Sequence, residues 1–337
     1  MTAKAKKIYI AISLLFFLCF LFVLLIFIVP NTRDKTSTLY IPMSGTYEQV
    51  IDSLDASHIL RTNLTFKIAA RCLLYKHILP GKYIIPANES NLNLILKLRK
   101  GQHYPVKLTF NNIRTKQQFI EKIGYKFLFD PLELEKLLEN EHFLNDYGLT
   151  PENVISVFIP DSYEFYFDIS AEEFFEKMHG YYERFWNAER REKAQEIGLA
   201  PMEIATLASI VEEENFSGDE KAIIAGLYIN RLKRGMKLQA DPTVKFALND
   251  FSIKRIYQRH LEIDSPYNTY RYEGLPPGPI RIPETATIDS VLNYTHHKYI
   301  FMCAKEDFSG RHNFAETDIE HARNAQKYHR ALNKRGI

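Results

Sequence analysis

The sequence predicts an α+β protein: one apolar N-terminal helix, then a small α+β unit, then a larger one. Three observations carry that prediction. Ile8 to Val29 runs 22 residues without a charge. Residues 36–103 alternate short strand-like runs with capped helical patterns. Beyond residue 104 the helical patterns lengthen, and the loops between them are dense in Pro, Gly, Asn and Tyr.

The chain has 337 residues, 46% hydrophobic and 25% charged, with net charge +2. That length holds about two globular units once a tail is set aside. The balanced charge argues against a nucleic-acid partner. Twenty Tyr and 23 Phe are many; such rings fill cores, and on a surface they stack on sugars. Cysteines stand only at 19, 72 and 303, the last two far apart in different units. No disulfide framework or zinc site follows from them.

In chain order, Lys4, Lys6 and Lys7 precede an apolar run long enough to span a bilayer. The run exceeds a signal-peptide core, and no small-residue cleavage site follows at Val29-Pro30-Asn31. We read residues 1–7 as a cytoplasmic tail, 8–29 as an uncleaved transmembrane anchor, and the rest as extracytoplasmic. Leu39-Tyr40-Ile41-Pro42 reads as a strand. Thr46 with Gln49 forms a capping box for a helix bearing Val50, Ile51 and Leu54. A second helix covers about Leu64 to Tyr75, a strand Gly81 to Pro86, and a third helix Leu92 to Lys100, stopped by Gly101. This order resembles a LysM-like glycan-binding module over residues 36–103.

Residues 104–337 form the larger unit. Val106 to Phe110 reads as a strand, 115–150 as short polar helices of an insertion or flexible arm, and Phe158 to Phe165 as an aromatic turn. Ser170 with Glu173 caps a long helix over about 171–195. Ser217 with Glu220 caps another over about 218–234, ended by Gly235.

Between those two lies Pro201 to Glu214, PMEIATLASIVEEE. Pro201 suits the first helical position. Ile204, Leu207, Ala208 and Val211 make one core-facing stripe. On a wheel with Ile204 at zero, Glu213 points about 180° away into solvent, and Glu212 and Glu214 flank the stripe at about +80° and −80°. A half-buried carboxylate on such a flank has a raised pKa and suits general acid work. Three Glu at a helix C-terminus oppose its dipole. The wheel leaves Glu212 and Glu214 equally open.

Four later stretches gather polar and aromatic groups in loops. They are Asn230-Arg231 with Met236 to Thr243, Ser265 to Tyr272, Gly274 to Ile280, and Gly310 to Phe314 with the Thr317–Glu320 capping box and His321. With ASIVEEE before them, the blocks NRLKRGMKLQADPTV, SPYNTYRYEGLPPGPI and HNFAETDIEH closely resemble the MltG (YceG-like) family of endolytic murein transglycosylases. The match is dense from Leu207 to His321.

The resemblance implies the catalytic carboxylate: the third position of E-x-E, Glu214. It implies Asn230, Arg231, Gln239, Asp241, Tyr267, Asn268, Thr269, Tyr270 and His312 around a glycan cleft. It also implies a larger α+β catalytic domain over 104–337 and no metal or cofactor. The implied substrate is peptidoglycan, cut at the MurNAc-β-1,4-GlcNAc bond to leave 1,6-anhydro ends. The setting implied is the outer face of the cytoplasmic membrane, beside peptidoglycan synthases, where the family ends strand elongation. Departures occur at Asn215, Ile282-Pro283-Glu284, Ser309 to His312 and Asn111-Asn112-Ile113; they touch loop details. Two rival functions remain open: a muramidase-type hydrolase with Asp241 or Glu212 as second carboxylate, and a non-catalytic peptidoglycan-binding scaffold.

Overall fold

The computed structural model describes residues 3–41, 46–101, 103–214, 218–253 and 255–335. Pro42 of the expected first strand, Asn215 and the expected cap Ser217 lie outside the described residues. The chain divides into two compact units. The first runs to Leu108 and includes Gly124–Phe129 and Tyr163–Ser170; the second comprises Thr109–Ile123, Asp130–Ser162 and the chain from Ala171 on. The two short segments pack with the first unit, where Phe127 stacks on Phe129 and meets Phe165 edge-on.

The first unit opens with α1 (Ala3–Val23), which runs into a π-helical turn, Leu24–Ile28. Ile8–Ile28 is apolar and long enough to cross a membrane, and it is mostly exposed. Then come β1 (Ser37–Ile41), α2 (Tyr47–Ala56), α3 (Asn63–Cys72), β2 (Gly81–Ile85) and α4 (Asn91–Lys100). β1 and β2 pair antiparallel with Leu39 opposite Tyr83. Alternate strand residues face inward, so Leu39, Ile41, Tyr83 and Ile85 meet Val50, Leu54, Phe66, Leu94 and Leu98 in one core. Thr46 and Gln49 make the reciprocal cap expected of them. Gly101 takes the left-handed φ of 64° that ends α4. Ile26, from the π-helical turn, is part of the same core. β3 (Val106–Thr109) and β4 (Ser162–Phe165) form a further two-stranded sheet.

In the second unit, α5 (Lys116–Gly124), α6 (Pro131–Leu138) and α7 (Glu141–Asn145) occupy the segment expected to be a polar arm. They are amphipathic instead: Phe119, Ile120, Leu134, Leu138 and Leu144 are buried. The long helix expected over 171–195 is two, α8 (Ala171–Phe185) and α9 (Ala188–Ile197). Trp186 is buried at the break, and the Asn187 side chain restarts the helix by accepting the Arg190 N–H at 3.0 Å.

Next come α10 (Pro201–Glu214), α11 (Lys221–Lys233), α12 (Asp241–Ala247), α13 (Thr285–Leu292), β5 (Phe301–Ala304), β6 (His312–Ala315) and α14 (Asp318–Lys334). Every residue of α10 from Ile204 to Glu212 is buried, not one stripe as the periodicity indicates. The helix packs against α9, α11, α12 and α13, and Ala205, Ala208 and Ser209 are small enough to let neighbours close on its less apolar sides. A Cβ on Gly226 would stand 2.3 Å from the Thr295 carbonyl oxygen, so α11 lies flush against that loop. β5 and β6 pair antiparallel with Ala304 opposite His312, and Thr317 with Glu320 caps α14.

Candidate active site

The three carboxylates that end α10 have three different surroundings. Glu212 is buried, and its carboxylate accepts from the Glu284 N–H (2.8 Å) and the Thr287 hydroxyl (2.7 Å) and pairs with Arg281 (3.0 Å). It serves as an anchor between helices. Glu213 was expected to face solvent. It is covered instead: Arg281 reaches it at 2.7 Å, and Arg114 grips both its oxygens at 3.1 Å. Two guanidinium groups thus offset charge that the helix dipole disfavours.

Among the described residues Glu214 has no guanidinium partner, and the only cationic charge that lowers its carboxyl is the more distant Lys245. Its Oε1 accepts the Tyr228 hydroxyl at 2.9 Å. Burial raises its carboxyl most; the tyrosine bond lowers it and the nearby Asp241 charge raises it further, leaving it pushed up to about 7. A carboxyl so placed is protonated in a large fraction of molecules near neutral pH, and it returns to that state after giving up its proton.

Glu214 opens on a cleft of about 260 Å³. Arg231, Gln239, Asp241, Tyr270 and His312 line it, together with Leu227, Tyr228, Leu238 and the β5 residues Met302, Cys303 and Ala304. Each is held from behind. The buried Arg231 donates to the Ile300, Lys237 and Leu238 carbonyls and to the Gln239 side chain. Gln239 takes a left-handed φ of 52°, and its N–H donates to the Thr269 carbonyl. The Tyr270 hydroxyl donates to Asp241 at 2.6 Å. His312 Nδ1 lies 2.9 Å from the buried Glu220 carboxylate, which favours the tautomer protonated there.

The remaining sequence-derived residues stand outside the cleft lining. Asn230 donates to the His297 and Tyr299 carbonyls. Asn268 is fully buried and donates to the Leu261 and Ile263 carbonyls. The Thr269 hydroxyl accepts the Ala240 N–H and contacts Thr243. Asn268 and Thr269 brace the loops that present Gln239, Asp241 and Tyr270, whereas Asn230 ties α11 to the segment before β5. Tyr267 packs on Phe246 and lines a separate cavity of about 360 Å³ with Arg114 and Glu152. Burial pushes its hydroxyl up to about 12.

Two contributors were not found in the sequence. Tyr228 lies three residues before Arg231 on α11, on the same helical face, and that spacing is a usable signal. Glu220 reads locally as a helix cap, but its carboxylate binds His312. Among the described residues, no group of three or more His, Cys, Asp or Glu side chains is placed to hold a metal ion.

A model of the YceG-like family matches residues 39–327. The chain belongs to the YceG-like family. A protein of Bacillus subtilis (strain 168) named endolytic murein transglycosylase is 37% identical over 132 residues, covering 39% of this chain and 36% of that protein. One of the same name from Streptococcus pneumoniae serotype 2 is 32% identical over 134 residues, covering 39% and 24%. The matched stretch therefore spans about a third or less of these relatives. The fold is also that of a crystal structure of a YceG-like protein from Listeria monocytogenes. Its TM-score is 0.56 at 24% identity, and the match covers 86% of this chain and 98% of that one.

Proposed function

We propose that this YceG-like protein is an endolytic peptidoglycan lytic transglycosylase, and that Glu214 carries its chemistry. The observation that bears most weight is the Glu214 carboxyl, raised to about 7 by burial at the edge of a polar cleft. Protonated Glu214 donates to the leaving glycosidic oxygen of the MurNAc-β-1,4-GlcNAc bond as oxocarbenium character develops. The carboxylate then takes the proton of the muramyl 6-hydroxyl, which closes on C1. One C–O bond breaks, one forms, no water enters, and the strand ends in 1,6-anhydro-MurNAc. An internal nucleophile gains from high effective molarity, so a single carboxylate suffices. Arg231, Gln239, Asp241, Tyr270 and His312 orient hydroxyl and N-acetyl groups.

The same reading makes Ile8–Ile28 an anchor in the cytoplasmic membrane with the bulk of the chain outside, residues 36–103 a LysM-like module and 104–337 the catalytic domain. Cleavage of nascent strands there ends their elongation beside the synthases that extend them. The names of the relatives support the activity, and the apolar helix supports the anchor.

A hydrolase is the second reading, because Asp241 is a further carboxylate in the cleft. Glu212 suits that part poorly, being fully engaged by Arg281, Thr287 and the Glu284 N–H. Mass spectrometry of products from purified full-length protein and un-cross-linked strands separates the readings. Anhydro ends support the transglycosylase, and reducing ends, heavier by one water, support the hydrolase. Glu214→Gln should keep the fold and glycan binding and lose the anhydro product. Undiminished anhydro product from that variant would refute the assignment.

A further inference from the structure

The first unit carries a feature that cleft chemistry does not use. α3 buries Phe66, Ala69 and Ala70 and turns a second stripe outward: Leu64, Lys67, Arg71 and, just past its end, Leu74. Leu64, Lys67 and Arg71 fall at i, i+3 and i+7, on one side of the helix, and Leu74, at a left-handed φ of 49°, borders the same groove. Leu64 is 67% and Leu74 71% exposed, which is high for leucine. Lys76 and His77 follow, both exposed. From Ala56 through Asn88 the sequence has five Lys or Arg and no Asp or Glu. The stripe borders a groove of about 680 Å³ that is also lined by the acidic Glu48, against three basic side chains, and by Tyr75, whose hydroxyl is buried and has no hydrogen-bond partner among the described residues.

The position of α3 gives this face its meaning. α3 and α4 pack against the π-helical turn Leu24–Ile28, the last part of the apolar span. Asn91 of α4 donates to the Ile26 carbonyl at 2.8 Å, and Asn31 ties the chain just beyond the span to the Thr62 carbonyl at the start of α3 and to Asn91. The span is therefore fastened into the module instead of joined by a loose linker. Its 21 residues are about what a bilayer core requires. If all of them lie at membrane depth, the helices seated on the final turn are drawn to the headgroup layer.

We propose that the outward face of α3, with Leu74 and Lys76, is an interfacial surface that lies against the anionic headgroups of the membrane holding the anchor. Leu64 and Leu74 insert at the acyl boundary, while Lys67, Arg71 and Lys76 meet lipid phosphates, the pattern of a helix lying in an interface. The proposal rests on the anchor reading.

The test uses the full-length chain with its cysteines replaced (C19S, C72S, C303S), in liposomes of phosphatidylcholine with or without phosphatidylglycerol. Nitroxides are placed singly through F17C, L64C or L74C, and oxygen against nickel-chelate accessibility reads depth. The expected result is a Phe17 label near mid-bilayer and both leucine labels at the headgroup–acyl boundary, their oxygen-to-nickel ratio several-fold above an aqueous label. In phosphatidylglycerol vesicles, K67E with R71E and K76E should move the leucine labels outward and leave the Phe17 label in place. A deep Phe17 label with fully aqueous labels at Leu64 and Leu74 overturns this proposal alone. An aqueous Phe17 label overturns the anchor reading first.

Discussion

The two sides of the α10 C-terminus treat the same residue type in opposite ways. On one side Glu212 and Glu213 meet Arg281 and Arg114, with further donors from Thr287 and the Glu284 backbone. On the other, Glu214 is desolvated and, among the described residues, accepts a tyrosine hydroxyl with no guanidinium beside it. Burial is common to both sides, and what differs is compensation. A compensated buried carboxylate is a structural tie, whereas an undercompensated one holds its proton near neutral pH and becomes available for proton transfer.

The sharpest break in the contrast is Glu214→Gln. Removing a general acid costs about 10²–10⁴-fold in rate, so anhydro-product formation should fall at least that far with no loss of stability. Arg281→Ala should do the reverse. It leaves the buried Glu212 without its cation, while Glu213 keeps Arg114, and should destabilise the fold by about 3–5 kcal/mol, read by denaturant unfolding. A small stability loss there would mean the knot matters less than its geometry indicates.

Smaller effects should appear in the pH profile. Tyr228 lowers the Glu214 carboxyl and Asp241 raises it. Tyr228→Phe should therefore shift the alkaline limb of activity to higher pH, and Asp241→Asn should shift it to lower pH. Shifts in the same direction would break the electrostatic account.

The same carboxyl also links stability to pH. Glu214 moves from an ordinary 4.5 to about 7 on folding. The folded state then binds the proton more tightly than the unfolded chain. This contribution is fully present below about pH 4.5 and is lost as pH rises through about 7. Glu214→Gln should remove that component of the pH dependence of unfolding.

Much of this architecture was legible in the chain. The apolar N-terminal run, the caps at Thr46 and Thr317, the stop at Gly101 and Pro201 at a helix start are local features, decided by neighbours within one turn. The break at Trp186-Asn187 is hidden in the sequence because strong helix formers stand on both sides of it, and the start of α9 is marked only by the Asn187 cap. The full burial of α10 was missed because periodicity reports contrast between faces, and a helix enclosed by four others has little to show.

Sequence by itself determined the element types, the apolar span and, through ordered blocks of motif, which residues to suspect. Tertiary structure alone decided what each does. Arg281, Thr287 and Glu284 reach Glu212 across about seventy residues of chain, while Tyr228, Asp241 and the cleft surround Glu214. A carboxyl's proton affinity is set by desolvation and by charges that arrive through folding, so no local reading of three consecutive glutamates could have ranked them.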